Sequence, residues 1–359
     1  MPAFLNGEMA GVLCRASAGG GRLKTIDGSH PLILAIHMAR QEVRLGSPAD
    51  AGACCTLASL LEVSASPKPG NVHRFSDPAQ HGKSYEQFQA AIVAMAPYFV
   101  QSASAGHQCV AGGQGIEKGL HLGPAIKGAC EAMVAAQAAG NLLLGHVLLL
   151  VPLAAATGAL LGGTSKSVVE LRSIVDKVTR AGDTGDVILF YEGIRACNPG
   201  GLGTVDKFDV TSPRFKEELH ASHATFQDAF SINKKEDSIS HEWTSAFETT
   251  FTWTFPRLQS LVQEGVTFND AVVQAFIELL ARRPDSLIRR KNGVEIAASV
   301  SARARAVVEA GGMLSEGGRA RLRALDAELA AARGKLNPGT TADLVAAGIY
   351  LLLATGYKV

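Results

Sequence analysis

The chain has 359 residues, 34 Lys and Arg against 33 Asp and Glu, a formal net charge of +1, and a composition that is 47% hydrophobic and 19% charged. Such a composition forms a core and excludes global disorder, and the balanced charge excludes the broad basic field that draws nucleic acid. Abundant glycine (38 residues) with only 6% aromatics suits closely packed helices around a polar pocket better than a β-sandwich.

Residues 1–28 are Gly-rich and weakly patterned, and read as a loosely attached extension. From there the apolar residues recur with helical period almost everywhere. Helices are expected at 30–45, 50–63 and 85–100, the last with Ser84 and Gln87 as a capping box. Small-residue helices follow at 119–139 and 142–161. Residues 142–161 are apolar except for His146 and Thr157. They are long enough to cross a bilayer, but Gly145, Pro152 and Gly158 and the lack of flanking basic residues favour a helix buried in a protein core.

Ser167-x-x-Glu170 opens a helix that closes at Gly182, and Asp183 begins another that ends before Asn198-Pro199-Gly200-Gly201. Ser212-Pro213 starts a further helix. Others are expected at 238–264, 267–282, 293–310, 315–333 and 340–356. The expected architecture is one compact all-α domain, residues 29–359, around a buried central helix. No repeat or low-complexity linker divides it. The six cysteines form no Cys-x-x-Cys pair, and the N-terminus lacks a signal-peptide pattern. Both point to the cytoplasm.

Functional groups gather in the Pro- and Gly-containing loops between helices. In Ser66-Pro67-Lys68-Pro69-Gly70-Asn71-Val72-His73-Arg74, two prolines stiffen the backbone, Gly70 permits close approach of a ligand, and Lys68, His73 and Arg74 suit a polyphosphate cradle. In the loop at 283–293, Asp285 and Arg289 fall one helical turn apart. Asn337-Pro338-Gly339-Thr340-Thr341-Ala342-Asp343 leads into a helix whose free N–H groups can bind an anion, with Thr340 or Thr341 equally able to cap it. The pairs Asp183/Asp186 and Asp206/Asp209 could hold Mg²⁺ with phosphate oxygens. No Walker, Gly-x-Ser-x-Gly or His-Glu-x-x-His motif occurs.

In this order the segments resemble the triphosphoribosyl-dephospho-CoA synthase family. Its Glu-Val and Thr-Pro-Lys-Pro-Gly-x-Val-Asp elements are similar to Glu62-Val63 and Ser66 to His73. Its Asn-Thr-x-x-Gly helix start survives as Asn141 and Gly145, its late Asp-Thr element resembles Asp285-Ser286 with Arg289 and Arg290, and its terminal Asn-x-x-Pro-Gly motif resembles Asn337 to Leu344. His73 replaces an Asp, and Leu142-Leu143-Leu144 replaces Thr-His-Lys. Residues 183–210 and 237–243 resemble a branch found in methanogens and methylotrophs.

The resemblance implies an ATP-using pentosyltransferase that moves the triphosphoribosyl group of ATP to the 2′-hydroxyl of dephospho-CoA and releases adenine. It implies Asp285, Asp343 and Glu62 as catalytic carboxylates, with Asp285 and Asp343 also holding Mg²⁺. Nucleotide contacts would come from Lys68, Gly70, His73, Arg74, Asn141, Arg289, Asn337, Gly339 and Thr340. Small molecules are the expected partners, with no nucleic acid and no membrane, and a homo-oligomer is left open. The alternatives are a related transferase of methanopterin or methanofuran synthesis and a non-catalytic nucleotide-binding helical protein.

Overall fold

A computed structural model describes residues 41–203 and 205–359. The expected extension at 1–28 and most of the helix expected at 30–45 lie outside the described residues. The described end of that helix, residues 41–46, is not helical: Glu42 forms an isolated antiparallel bridge with Ser167. Among the described residues there is otherwise no strand, and the all-α expectation holds.

The principal helices are α1 (Pro48–Ser64), α2 (Tyr85–Ala111), α3 (Gly123–Ala135), α4 (Leu144–Gly162), α5 (Val168–Arg180) and α6 (Thr184–Cys197). They continue as α7 (Phe255–Gln263), α8 (Phe268–Arg282), α9 (Ser286–Asn292), α10 (Val294–Glu309), α11 (Glu316–Ala330) and α12 (Gly339–Ala354). Polar residues start many of them. Ser84 and Gln87 cap each other at the head of α2, and Asp183 and Asp186 do the same for α6.

The apolar run is α4, buried from Gly145 to Leu160. It is the one described helix long and apolar enough to cross a bilayer, and the fold uses it as the central core helix. Its glycines let α2 lie against it. A Cβ on Gly158 would stand 1.8 Å from the Ala103 carbonyl oxygen, and one on Gly106 would stand 1.9 Å from that of Ala155. Ser102 Oγ donates to the Val151 carbonyl at 2.8 Å across the same seam. Pro152 has no N–H for the Leu148 carbonyl four residues back. Trp243 Nε1 supplies the missing donor at 2.8 Å. A proline that would break an isolated helix is thus accommodated by a buried indole.

The single helix expected at 238–264 is divided. Ser238–Thr244 ends at a turn in which Ala246 and Phe247 take positive φ, followed by a π-helical turn at Thr250–Thr254 and then α7. The cause is Glu242, which is fully buried and accepts from the backbone N–H groups of Thr249 and Thr250 and from Thr250 Oγ1. A carboxylate bound to those amides fixes a new helix start within the apolar pattern. The helix expected at 119–139 is also shorter, with residues 120–122 outside it and Gly123–Ala135 forming α3.

Candidate active site

Three helix ends converge. Glu62 is in the last turn of α1, His146 in the first turn of α4, and Asp343 at the start of the second turn of α12. Contact between α4 and α12 requires glycine at 145, where a Cβ would fall 1.9 Å from Asp343 Oδ2. His146 Nε2 is 3.6 Å from Glu62 Oε2 and 3.6 Å from Asp343 Oδ1. The other Glu62 oxygen is paired with the Lys68 ammonium. Glu62, Lys68 and His146 are almost wholly buried, and Asp343 is 16% exposed.

This group lies at the bottom of a pocket of about 870 Å³ that is lined by Glu62, His146 and Asp343 and, nearer the opening, by Lys83, Arg290 and Lys291. Burial, and then the charges of Glu62, Asp285 and Asp237, push the Asp343 carboxyl well above the usual range, against the pull of Lys68. Burial alone would raise Glu62 too, but Lys68 and His146 outweigh it and hold Glu62 low. Burial lowers Lys68, opposed by Glu62, Asp343 and Asp326. Nearer the opening, burial and the neighbouring Lys291 bring Lys83 down to about 8. Burial, and then Arg290, also lowers Lys291. The pocket therefore combines an acidic floor with a rim rich in cations, two of which, Arg289 and Arg290, pair with Glu236 and Asp237 of the same lining.

The sequence-expected residues separate into two sets. Glu62, Asn141, Arg289, Asn337, Gly339, Thr340 and Asp343 line the pocket. Asn141 Oδ1 caps α4 through Leu144 N–H, and its carbonyl accepts from Lys83 Nζ at 2.6 Å. Asn337 Oδ1 accepts from Asn71 Nδ2 at 2.8 Å, which fastens two of the motif loops together. Arg289 also pairs with Glu236 at 3.1 Å.

The cradle expected from Lys68, His73 and Arg74 does not form. Lys68 is sealed beneath the pocket against Glu62. His73 turns to Asp326 at 3.3 Å, and Asp326 also accepts from the Gly70 N–H at 3.1 Å. Arg74 donates to Asn269 and lies over the Phe75 ring. Gly70 has φ 72, and a Cβ there would meet the Leu336 carbonyl oxygen at 2.7 Å, so its role is a packed turn and not approach of a ligand.

Asp285 is likewise placed differently. One carboxylate oxygen caps α9, accepting from Leu287 and Ile288 N–H at 2.9 and 3.0 Å. The other accepts from Thr341 N–H and Oγ1 at 2.7 and 2.8 Å. Four donors fill it and leave no oxygen for a metal, so Asp285 joins α9 to α12 and thereby sets the angle at which Asp343 enters the pocket. Burial raises its pKa, opposed by those hydrogen bonds. The pair at 183/186 is also structural, a capping box, while Asp209 accepts from Thr211 and lines the pocket.

Sequence reasoning missed His146, Lys83 and Lys291 as pocket groups. Only His146 carried a usable signal, a single imidazole in a long apolar run.

These features define the chain by class: an all-helical body whose buried charges meet in one pocket. A crystal structure from Archaeoglobus fulgidus, described as a triphosphoribosyl-dephospho-CoA synthase, shares the fold at a TM-score of 0.53 with 23% identity. The superposition covers 75% of this chain and 99% of that one. The chain belongs to the ATP:dephospho-CoA triphosphoribosyl transferase family, whose model matches residues 48–358. It is 26% identical over 295 residues to the Klebsiella pneumoniae 2-(5''-triphosphoribosyl)-3'-dephosphocoenzyme-A synthase, covering 82% of this chain and 87% of the relative. A second similar protein, from Stutzerimonas stutzeri and described by the same activity, is 36% identical over 96 residues, 27% of this chain and 32% of that protein's length. These matches do not favour the one-carbon-cofactor transferase or the non-catalytic binder.

Proposed function

We propose that this chain transfers the 5-triphosphoribosyl group of ATP to the 2′-hydroxyl of 3′-dephospho-CoA and releases adenine. The observation that carries the reading is the polarity of the pocket in a chain whose whole body matches the family: acidic floor, cation-rich rim. The reaction is a glycosyl transfer through a cation-like ribose carbon, and it must leave the triphosphate whole. Carboxylates under the ribose stabilise the developing positive charge, while fixed cations hold the phosphates. Glu62, held ionised by Lys68 and His146, is placed for the first task with Asp343 beside it, and Lys83, Arg289, Arg290 and Lys291 for the second. At about 870 Å³ the pocket is near the upper end of small-molecule clefts, room for a nucleotide and the reacting end of a second molecule.

The fit to Mg²⁺ is partial. Among the described residues, the group of three potential ligands within 4.8 Å of one another is His121, Asp183 and Asp186. It lies outside this pocket, and its Asp186 is engaged by His121, Gly123 and Asp183. With Asp285 filled, Glu62 paired to Lys68, and Glu236 and Asp237 paired to Arg289 and Arg290, the pocket carboxylates do not form a ready cage. Mg²⁺ commonly binds through substrate phosphates and water, so it would enter on the triphosphate and neutralise part of its charge. Reduced cysteines fit a cytoplasmic setting, where both substrates occur.

The test is chromatographic detection of adenine from ATP with and without dephospho-CoA. The proposal requires release that depends on the acceptor. Adenine at equal rates without acceptor would make the protein a nucleosidase, and none under either condition would refute the reading.

A further inference from the structure

His146 is 1% exposed, and its Nδ1 is the one buried side-chain nitrogen or oxygen among the described residues without a hydrogen-bond partner. Leaving a buried polar atom unpaired is destabilising. The neighbours on α4, Val147, Leu148, Leu149, Leu150 and Val151, are aliphatic, so a leucine at 146 would continue the helix at no such cost. Glu62 already has a cation in Lys68, so His146 is not its sole partner. The residue lines the pocket, and the missing partner is accounted for if a ligand supplies it.

The other nitrogen is defined by its surroundings. Nε2 faces Glu62 Oε2 and Asp343 Oδ1, each at 3.6 Å. In the neutral imidazole, oxygens on that side favour the proton on Nε2, and Nδ1 is then a lone pair. A carboxylate behind one imidazole nitrogen and a free lone pair on the other is the arrangement by which hydrolases and metal sites orient a histidine.

Resting on the function proposed above, we infer that His146 is the general base of the transfer, its Nδ1 accepting the proton of the acceptor hydroxyl while Glu62 and Asp343 hold the ring. As that proton moves to Nδ1, the hydroxyl oxygen bonds to C1′ of the ribose. The C1′–N9 bond breaks and its electron pair leaves with adenine. Adenine takes one proton from water at the pocket mouth, and His146 returns its proton to water when the product departs, so the turnover balances. Asp343 is then a positioning group.

The experiment uses the full chain with His146→Gln, which keeps an amide N–H for the two carboxylates but has no comparable base. The rate of adenine release should fall roughly 100-fold or more. Calorimetric affinity for ATP in the absence of acceptor should stay within about threefold, because a base for the acceptor is not a phosphate contact. His146→Ala with added imidazole provides a second measurement that holds even if the first variant folds poorly, and recovery of turnover is expected. A turnover in His146→Gln within a few-fold of wild type would overturn the assignment, as would failure of imidazole to restore any activity to a folded His146→Ala. A wild type that releases no adenine would instead refute the proposed function, and the role of His146 with it.

Discussion

Asp285→Asn separates a catalytic carboxylate from one that builds the site. Asparagine preserves size, but one of its two terminal atoms is an NH₂. If its oxygen keeps Leu287 and Ile288, the NH₂ faces Thr341. The threonine hydroxyl can rotate to accept from it, while the Thr341 N–H, 2.7 Å away in the wild type, loses its acceptor. An unpaired buried N–H costs about 1–3 kcal/mol, and the two remaining bonds lose their charge assistance. Relief of the burial that raises the Asp285 pKa offsets part of this. The expected net loss is about 2–3 kcal/mol, or roughly 3–4 °C in Tm for a chain of this size. The measurement is a thermal melt beside an adenine-release assay on the same preparation. A lowered Tm with residual activity is the predicted result. An unchanged Tm with turnover reduced roughly 100-fold or more would refute the reasoning and make Asp285 a direct participant.

Asp343→Asn should do the reverse, with turnover falling roughly 100-fold and Tm little changed, because this carboxylate faces the pocket and caps no backbone group. Gly145→Ala should abolish activity and lower Tm, since its Cβ would stand 1.9 Å from Asp343 Oδ2. Lys68→Met leaves Glu62 buried without its cation and should cost about 3–5 kcal/mol in denaturant unfolding, whereas a role as phosphate ligand would instead raise the Kd for ATP in a stable protein. With Lys83 at about 8, calorimetric affinity for ATP should be steady below pH 8 and weaken above it as the free protein loses that proton. Lys83→Arg, which stays charged, should remove the break. The same group contributes stability of opposite sign: between pH 8 and the ordinary lysine value the unfolded chain holds a proton that the folded chain has released, so its contribution to folding rises with pH.

Helical periodicity and capping residues made most of the architecture legible. They could not show the break at 238–264, because it depends on the Glu242 carboxylate folding back onto amides seven and eight residues later. Asn337, Thr340 and Asp343 were readable from the Pro-Gly segment that opens α12, whereas Glu62 and Asn141 were readable only through the family resemblance. Lys68, His73 and Arg74 misled because adjacency in sequence is not a shared direction: one is sealed in, one turns to Asp326, and one lies on the surface. Asp326 itself was hidden in α11, which the sequence offered only as a helix. His146 stood out only as an exception in an apolar run, and its meaning depends on two carboxylates brought from residues 62 and 343.

The central claim is that the pocket moves an intact triphosphoribosyl group. Phosphorus NMR and mass spectrometry of a reaction containing ATP and dephospho-CoA test it most directly. The account predicts one adduct that carries the ribose and all three phosphates of ATP joined to dephospho-CoA, with one adenine released per adduct. ADP or pyrophosphate in place of adenine, with dephospho-CoA unchanged in mass, would contradict it.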